Sequence, residues 1–212
     1  MSRSSPERPT LKKQNAAPPR QVRIIAGDWK RTPLPVADIE GLRPTPDRVR
    51  ETVFNWLEHL QHRRWDNRRC LDLFAGTGAL GFEAASRGAA EVMMIESHPA
   101  ALRHLNATRD KLGAVQVTIQ RGDALALLRS AAALSGPFDL VFLDPPYGLN
   151  LLPQLLPACG RLLAPAGLIY AESDQAFTDT GAAWLNGWTV VRADKAGQVH
   201  YALLSRDDDR TN

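Results

Sequence analysis

Leu71-Asp72-Leu73-Phe74-Ala75-Gly76-Thr77-Gly78-Ala79-Leu80-Gly81 decides the fold. An apolar β-type run enters a glycine-rich turn, and a helix-forming run leaves it. Gly76 and Gly78 allow the backbone to approach a ligand closely, with the N–H groups of a helix start just beyond. Gly76, Gly78 and Gly81 also satisfy the GxGxxG spacing, so the loop alone does not separate a dinucleotide from another nucleoside cofactor. A tight turn without a ligand is the plain alternative; three glycines in a βαβ setting favour a ligand.

Outward from this loop, strand and helix alternate. Strands are predicted over 70–74, 91–95, 115–120, 138–143 and 168–171, and helices over 79–87, 99–112, 124–134 and 151–163, the last with proline-related breaks. Segments 189–193 and 199–205 form a closing hairpin. This order predicts an α/β, doubly wound, mostly parallel sheet with helices on both faces. Ahead of it, 22–25 and 32–36 flank Gly27-Asp28-Trp29-Lys30 as a small hairpin. Pro44-Thr45-Pro46-Asp47 then opens a helix, with Thr45 or Asp47 as its cap and Val49, Val53, Phe54, Trp56 and Leu57 as its apolar face. The chain therefore divides into a disordered basic tail over 1–20, a hairpin-and-helix extension over 21–64, the main domain over 65–206, and an acidic tail over 207–212 expected to be solvated and inert.

The 212 residues are 44% hydrophobic, enough for one sizeable core. The net charge of +3 is unevenly spread: residues 1–64 hold 13 Lys and Arg against 7 Asp and Glu, and the remainder holds 13 against 16. Positive charge ahead of the main domain suits a phosphate-facing arm; a solvated basic tail is the alternative for residues 1–20. Cys70 and Cys159 sit in apolar runs without metal-ligand spacing, which predicts buried thiols in a reducing compartment. No apolar run reaches membrane-spanning length and the polar start has no signal-peptide core, so a cytoplasmic protein without a metal is expected.

Three further strand ends carry chemistry. Glu96 follows the run Val92-Met93-Met94-Ile95, 18 positions after Gly78, where a carboxylate can accept from both hydroxyls of a ribose. Asp123, in Gly122-Asp123-Ala124-Leu125, can cap the next helix and can also accept from an adenine amino group. The apolar run Phe138-Asp139-Leu140-Val141-Phe142-Leu143 delivers Asp144-Pro145-Pro146-Tyr147 to the same sheet edge. Two prolines remove two N–H donors. With the Asp144 carboxylate, the local carbonyls then make an acceptor-only cluster suited to an exocyclic amine. Tyr147 offers a flat face for stacking a base, and the face is expected to matter more than the hydroxyl.

Asp144-Pro145-Pro146-Tyr147 resembles the (D/N)PP(Y/F) motif of class I amino-methyltransferases acting on bases, and Asp72-Leu73-Phe74-Ala75-Gly76-Thr77-Gly78 resembles their cofactor motif. Arg23-Ile24-Ile25-Ala26-Gly27, Gly41-Leu42-Arg43-Pro44-Thr45 and Asp47-Arg48-Val49-Arg50-Glu51-Thr52-Val53-Phe54-Asn55-Trp56-Leu57 resemble more specifically the RsmD family, the bacterial 16S rRNA (guanine-N2) methyltransferases. Tyr170-Ala171-Glu172-Ser173 and Gly197-Gln198-Val199 match as well, and the resemblance spans roughly residues 22–205. It implies a class I, Rossmann-like, seven-stranded methyltransferase sheet with an N-terminal hairpin that helps hold RNA. It implies S-adenosylmethionine as donor and 16S rRNA, in a partly assembled small subunit, as partner. Asp72, Phe74, Ala75, Gly76 and Gly78 would then line the methionine side of the cofactor, Glu96 the ribose, and Asp123 with Ala124 the adenine. Asp144, Pro145, Pro146 and Tyr147 would hold a flipped guanine. Arg23, Lys30, Arg31, Arg43 and Arg48 are the candidate RNA contacts, and a monomer is expected.

Three rivals remain at this point. An NAD oxidoreductase shares the glycine loop and Glu96 but leaves Asp144-Pro145-Pro146-Tyr147 without a use. An adenine-N6 methyltransferase on RNA or DNA uses the same acceptor cluster, and the N-terminal resemblance speaks against it. A non-catalytic RNA-binding or ribosome-assembly protein would have no need of the intact acceptor motif.

Overall fold

A computed structural model describes residues 21–39, 44–60, 64–130, 137–178 and 183–210, with Gln21 and Arg210 described by backbone alone. The basic tail over 1–20, Arg43, and the end of the helix predicted to reach residue 134 lie outside the described residues.

The main sheet is seven-stranded. Its parallel part is β3 (Arg69–Asp72), β4 (Glu91–Glu96), β5 (Val117–Arg121), β6 (Phe138–Leu143) and β7 (Leu163–Ser173); β8 (Trp188–Ala196) and β9 (Val199–Arg206) close it antiparallel. The spatial order is β5-β4-β3-β6-β7-β9-β8. A separate two-stranded ribbon pairs β1 (Gln21–Arg23) with β2 (Pro33–Pro35). Helices α1 (Asp47–Leu60), α2 (Ala79–Ser86), α3 (Pro99–Leu112), α4 (Ala124–Arg129) and α5 (Leu152–Gly160) cover the sheet.

Alternation along the strands builds two cores. Cys70, Val92, Met94, Leu140, Phe142 and Tyr170 face one side, where they meet Val53, Phe54, Phe82, Leu105 and the ribbon residues Val22, Ile24 and Leu34. Leu71, Met93, Ile95, Val141, Leu143 and Ile169 face the other, against Leu128, Leu155 and Leu156. The ribbon and α1 thus share a core with the main sheet. Their polar attachment is also buried: Glu83 of α2 accepts from the backbone N–H of Ile25 at 2.6 Å and Ala26 at 3.0 Å. Gly27, at φ 79°, lies so close to Ser86 that an added Cβ would sit 1.8 Å from its carbonyl oxygen, so no other residue fits there.

Several local expectations change. Helix α5 runs through Pro157 without a break. Neither Thr45 nor Asp47 serves as the cap read from sequence: the Thr45 hydroxyl donates to Asp144, and the Asp47 carboxylate binds Arg23 and Arg50. The acidic tail is not inert. Asp207 accepts from Thr189 at 2.6 Å and Asp209 pairs with Arg206 at 3.1 Å, which ties residues 207–209 to β8 and β9. Among the described residues, no helix is long and apolar enough to cross a membrane, and no cluster of His, Cys, Asp or Glu could hold a metal ion.

Candidate active site

Strand order reverses between β3 and β6, and in open α/β sheets ligands bind outside the carboxyl ends of the strands at such a point. Here a large cleft, open to solvent, occupies that place. Phe74, Ala75 and Gly76 from the β3 loop, Glu96 from β4, Asp123 and Ala124 after β5, and Asp144 to Tyr147 after β6 line it together. Residues up to 73 positions apart therefore converge on one hollow, because parallel strands all end on the same edge.

Glu96 braces the glycine loop. One of its oxygens accepts from the Gly76 N–H at 2.8 Å and the other from the His98 N–H at 2.7 Å. A carboxylate offers about four acceptor positions, so capacity remains for hydroxyl donors from the cleft. Asp123 caps α4 by accepting from Ala126 at 2.8 Å and is otherwise exposed. Asp72 and Gly78 are buried and do not line the cleft. The Asp72 carboxylate instead accepts from Phe74 and Gly81, tying the loop's two ends together. Burial drives its pKa up to about 7.

Gly78 needs its φ of 77°, and an added Cβ would point at protein: 2.5 Å from the Phe82 ring and 2.7 Å from Leu105. A side chain there would face protein and not the cleft. Gly78→Val is expected to destabilise the fold by roughly 2–5 kcal/mol through overpacking and backbone strain, with loss of ligand binding as a consequence. Thermal unfolding alongside titration checks it; lost binding with an unshifted midpoint would restore the simpler blocking account.

Asp144 lines the cleft beside Thr45. It accepts from the Thr45 hydroxyl at 3.2 Å, and burial together with the neighbouring charge of Glu172 raises its pKa well above the carboxylate range. Glu172, on β7, is 3% exposed. It accepts from Tyr147 at 2.8 Å and from Tyr170 at 2.6 Å. Burial raises its pKa also. The Tyr147 hydroxyl, expected from sequence to be dispensable, is thus engaged. Sequence reading also passed over Thr45 and Glu172 as site residues. The available signal for Glu172 was a carboxylate at the carboxyl end of an apolar strand, the same signature that marked Asp144.

Of the candidate RNA contacts, Arg23, Lys30, Arg31 and Arg48 are exposed, and Arg23 pairs with Asp47 at 2.8 Å. Ile39, Pro44 and Thr45, from the same N-terminal region, form part of the cleft wall.

Comparison with known proteins follows the same line. The family model described as "Conserved hypothetical protein 95" matches residues 22–205. Ribosomal RNA small subunit methyltransferase D of Escherichia coli (strain K12) is 40% identical over 200 residues, covering 93% of this chain and 96% of that protein. The protein of the same name from Haemophilus influenzae is 39% identical over 187 residues, covering 86% and 93%. A solved structure described as "Putative methyltransferase yhhF from Escherichia coli" superposes with a TM-score of 0.72 at 40% identity, covering 88% of this chain and 98% of that one.

Proposed function

The chain belongs to the RsmD family, that of Ribosomal RNA small subunit methyltransferase D, and on that footing we propose that it transfers a methyl group from S-adenosylmethionine to the exocyclic N2 of a guanine in small-subunit ribosomal RNA. The observation that carries the reading at the level of chemistry is the convergence of the glycine loop, Glu96 and Asp144-Pro145-Pro146-Tyr147 on one cleft.

The cleft suits the donor. Gly76 and Ala75 offer a close-approach loop, Glu96 retains acceptor capacity for ribose hydroxyls, and Asp123 stands exposed at its far wall. S-adenosylmethionine, when bound, supplies an already activated methyl group, so the protein's work is placement and proton handling. Asp72 holds the shape of the loop from behind.

The guanine leaves its stack and presents N2 to Asp144. The N2 lone pair is delocalised into the ring, and hydrogen bonds from its N–H groups to the Asp144 carboxylate and a carbonyl of the Pro145 region draw it toward tetrahedral geometry. With the donor held by the glycine loop and Glu96, Asp144 would accept the proton that N2 gives up on methylation. Donors on the substrate also favour the ionised carboxylate, which offsets the rise in pKa caused by burial. Tyr147 stacks on the base. RNA is held by the basic N-terminal region, and the substrate is the rRNA within a partly assembled subunit, acted on by a monomer in the cytoplasm.

The test is nucleoside mass spectrometry of small-subunit rRNA from cells with and without this protein; N2-methylguanine present in equal amount in both would refute the reading. For the basic region, replacing Arg23, Lys30 and Arg31 together by Ala is expected to weaken RNA binding and flatten its salt dependence. Each lost phosphate contact lowers the log–log slope by roughly 0.7–0.9. Cofactor affinity is expected to stay the same. An unchanged slope would reduce the ribbon to a structural element.

A further inference from the structure

Tyr147 leaves the Asp144-Pro145-Pro146 turn on a segment with little to anchor it. Gly148 and Asn150 follow at φ 79° and 45°, Leu149 is 60% exposed, and Tyr147 itself is 41% exposed. Its ring stands between two hollows. One is the large cleft; the other is a shallow, solvent-open depression lined by Pro146, Leu152, Asp174 and Trp184. A ring so placed is free to turn unless something holds its tip.

Glu172 holds it. Its Oε2 accepts from the phenol of Tyr147 at 2.8 Å, while Oε1 accepts from the buried Tyr170 at 2.6 Å. Tyr170 is rigid: it is fully buried on β7 and packs edge-on against Phe142 at 6.2 Å between ring centroids. Only a carboxylate accepts from two hydroxyls at once with no donor of its own to satisfy; an amide would offer one acceptor and two surplus donors. Hydrogen bonds to an ionised acceptor are also the stronger kind. The chain Tyr170–Glu172–Tyr147 therefore transmits the stiffness of the sheet to an otherwise loosely held ring.

We propose that Glu172 is a positioning residue: by accepting the Tyr147 hydroxyl it fixes the plane of that ring at the mouth of the cleft, so that an incoming base stacks in register with Asp144. The proposal rests on the reading of Asp144 to Tyr147 as the base-holding turn.

The experiment is a double-mutant cycle on the full chain with E172Q, Y147F and the combined variant. The substrate is small-subunit particles from cells lacking the modification, and methyl transfer, S-adenosylmethionine affinity and thermal midpoint are all measured. Each single variant is expected to lose about tenfold in kcat/KM for the particle, the scale of one hydrogen bond to a charged group. Cofactor affinity should hold within twofold. The combined variant is expected to be no worse than E172Q alone, because Y147F removes only a bond that E172Q has already disrupted, whereas E172Q also alters the Tyr170 contact and the charge beside Asp144. Losses that multiply, or a Y147F protein with wild-type kcat/KM, overturn the proposal. Y147A separates the two levels: full activity in that protein removes the stacking role itself, whereas a large loss in Y147A with a silent Y147F keeps stacking and removes only the positioning by Glu172.

Discussion

Replacing Asp144 by Ala leaves S-adenosylmethionine binding intact and lowers methyl transfer by about a hundredfold or more, the usual cost of removing one preorganised electrostatic contact. The separation follows from geometry. The glycine loop follows β3 and Glu96 ends β4, and neither hydrogen-bonds Asp144, whose donor is Thr45. Asp144→Asn is expected to be milder, since its amide oxygen still accepts from N2–H while proton uptake is lost. The pH profile gives a second check. Catalysis needs the ionised carboxylate, and burial beside Glu172 raises its pKa. The rising limb of kcat/KM should therefore fall above the ordinary carboxylate range in the wild-type protein and disappear in Asp144→Asn. An Asp144→Ala protein forming N2-methylguanine at near the wild-type rate would move the active site elsewhere.

Glu83→Ala is expected to destabilise the protein by about 3–5 kcal/mol, the cost of breaking a buried ionic cluster from one side. Glu83 is fully buried, and four groups depend on it. The N–H groups of Ile25 and Ala26 donate to it, Arg87 binds it at 2.8 Å, and the fully buried Arg50 lies 3.8 Å away. Arg50 already carries a lowered pKa because of burial, with Asp47 and Glu83 acting against that shift. Removing Glu83 leaves two backbone donors unpaired and leaves Arg50 and Arg87 with one carboxylate each, Asp47 and Glu58. For a chain of this size the thermal midpoint should drop by roughly 6–20 °C. The ribbon should loosen first, read as faster hydrogen exchange at Ile25 and Ala26. A midpoint within about 2 °C of wild type would show that water replaces the carboxylate at little cost, and that the ribbon is held by its apolar contacts alone.

Much of this was legible in the sequence because it depends on short-range pattern. The apolar runs at 70–73, 92–95 and 138–143 could only be buried strands, and the glycines after β3 announced a ligand loop. The acceptor-only turn at Asp144 could be read from two adjacent prolines. Parallel strands deliver their ends to one edge, so the convergence of Glu96, Asp123 and Asp144 followed from strand order before any coordinate was known. Element ends were less legible: β7 begins at Leu163, five residues before its apolar stretch, and α5 tolerates Pro157.

What only the tertiary structure decided is the partnership of polar groups distant in sequence. Thr45 reads as a helix cap, yet it hydrogen-bonds Asp144, 99 positions away. Gly78 reads as ligand-facing, yet it packs on Phe82 and Leu105. Glu83 carries no mark in the sequence, yet it anchors the ribbon 57 and 58 positions upstream. Pattern reports whether a residue's neighbours are apolar at a given period; it carries no term for which buried donor meets which buried acceptor. That choice is made when two elements pack, because an unpaired buried polar group costs more than nearly any paired arrangement. The sequence by itself determined the sheet and its acceptor turn; packing alone determined that Thr45 meets Asp144, that Glu172 meets Tyr147 and that the ribbon is bolted to α2 by Glu83.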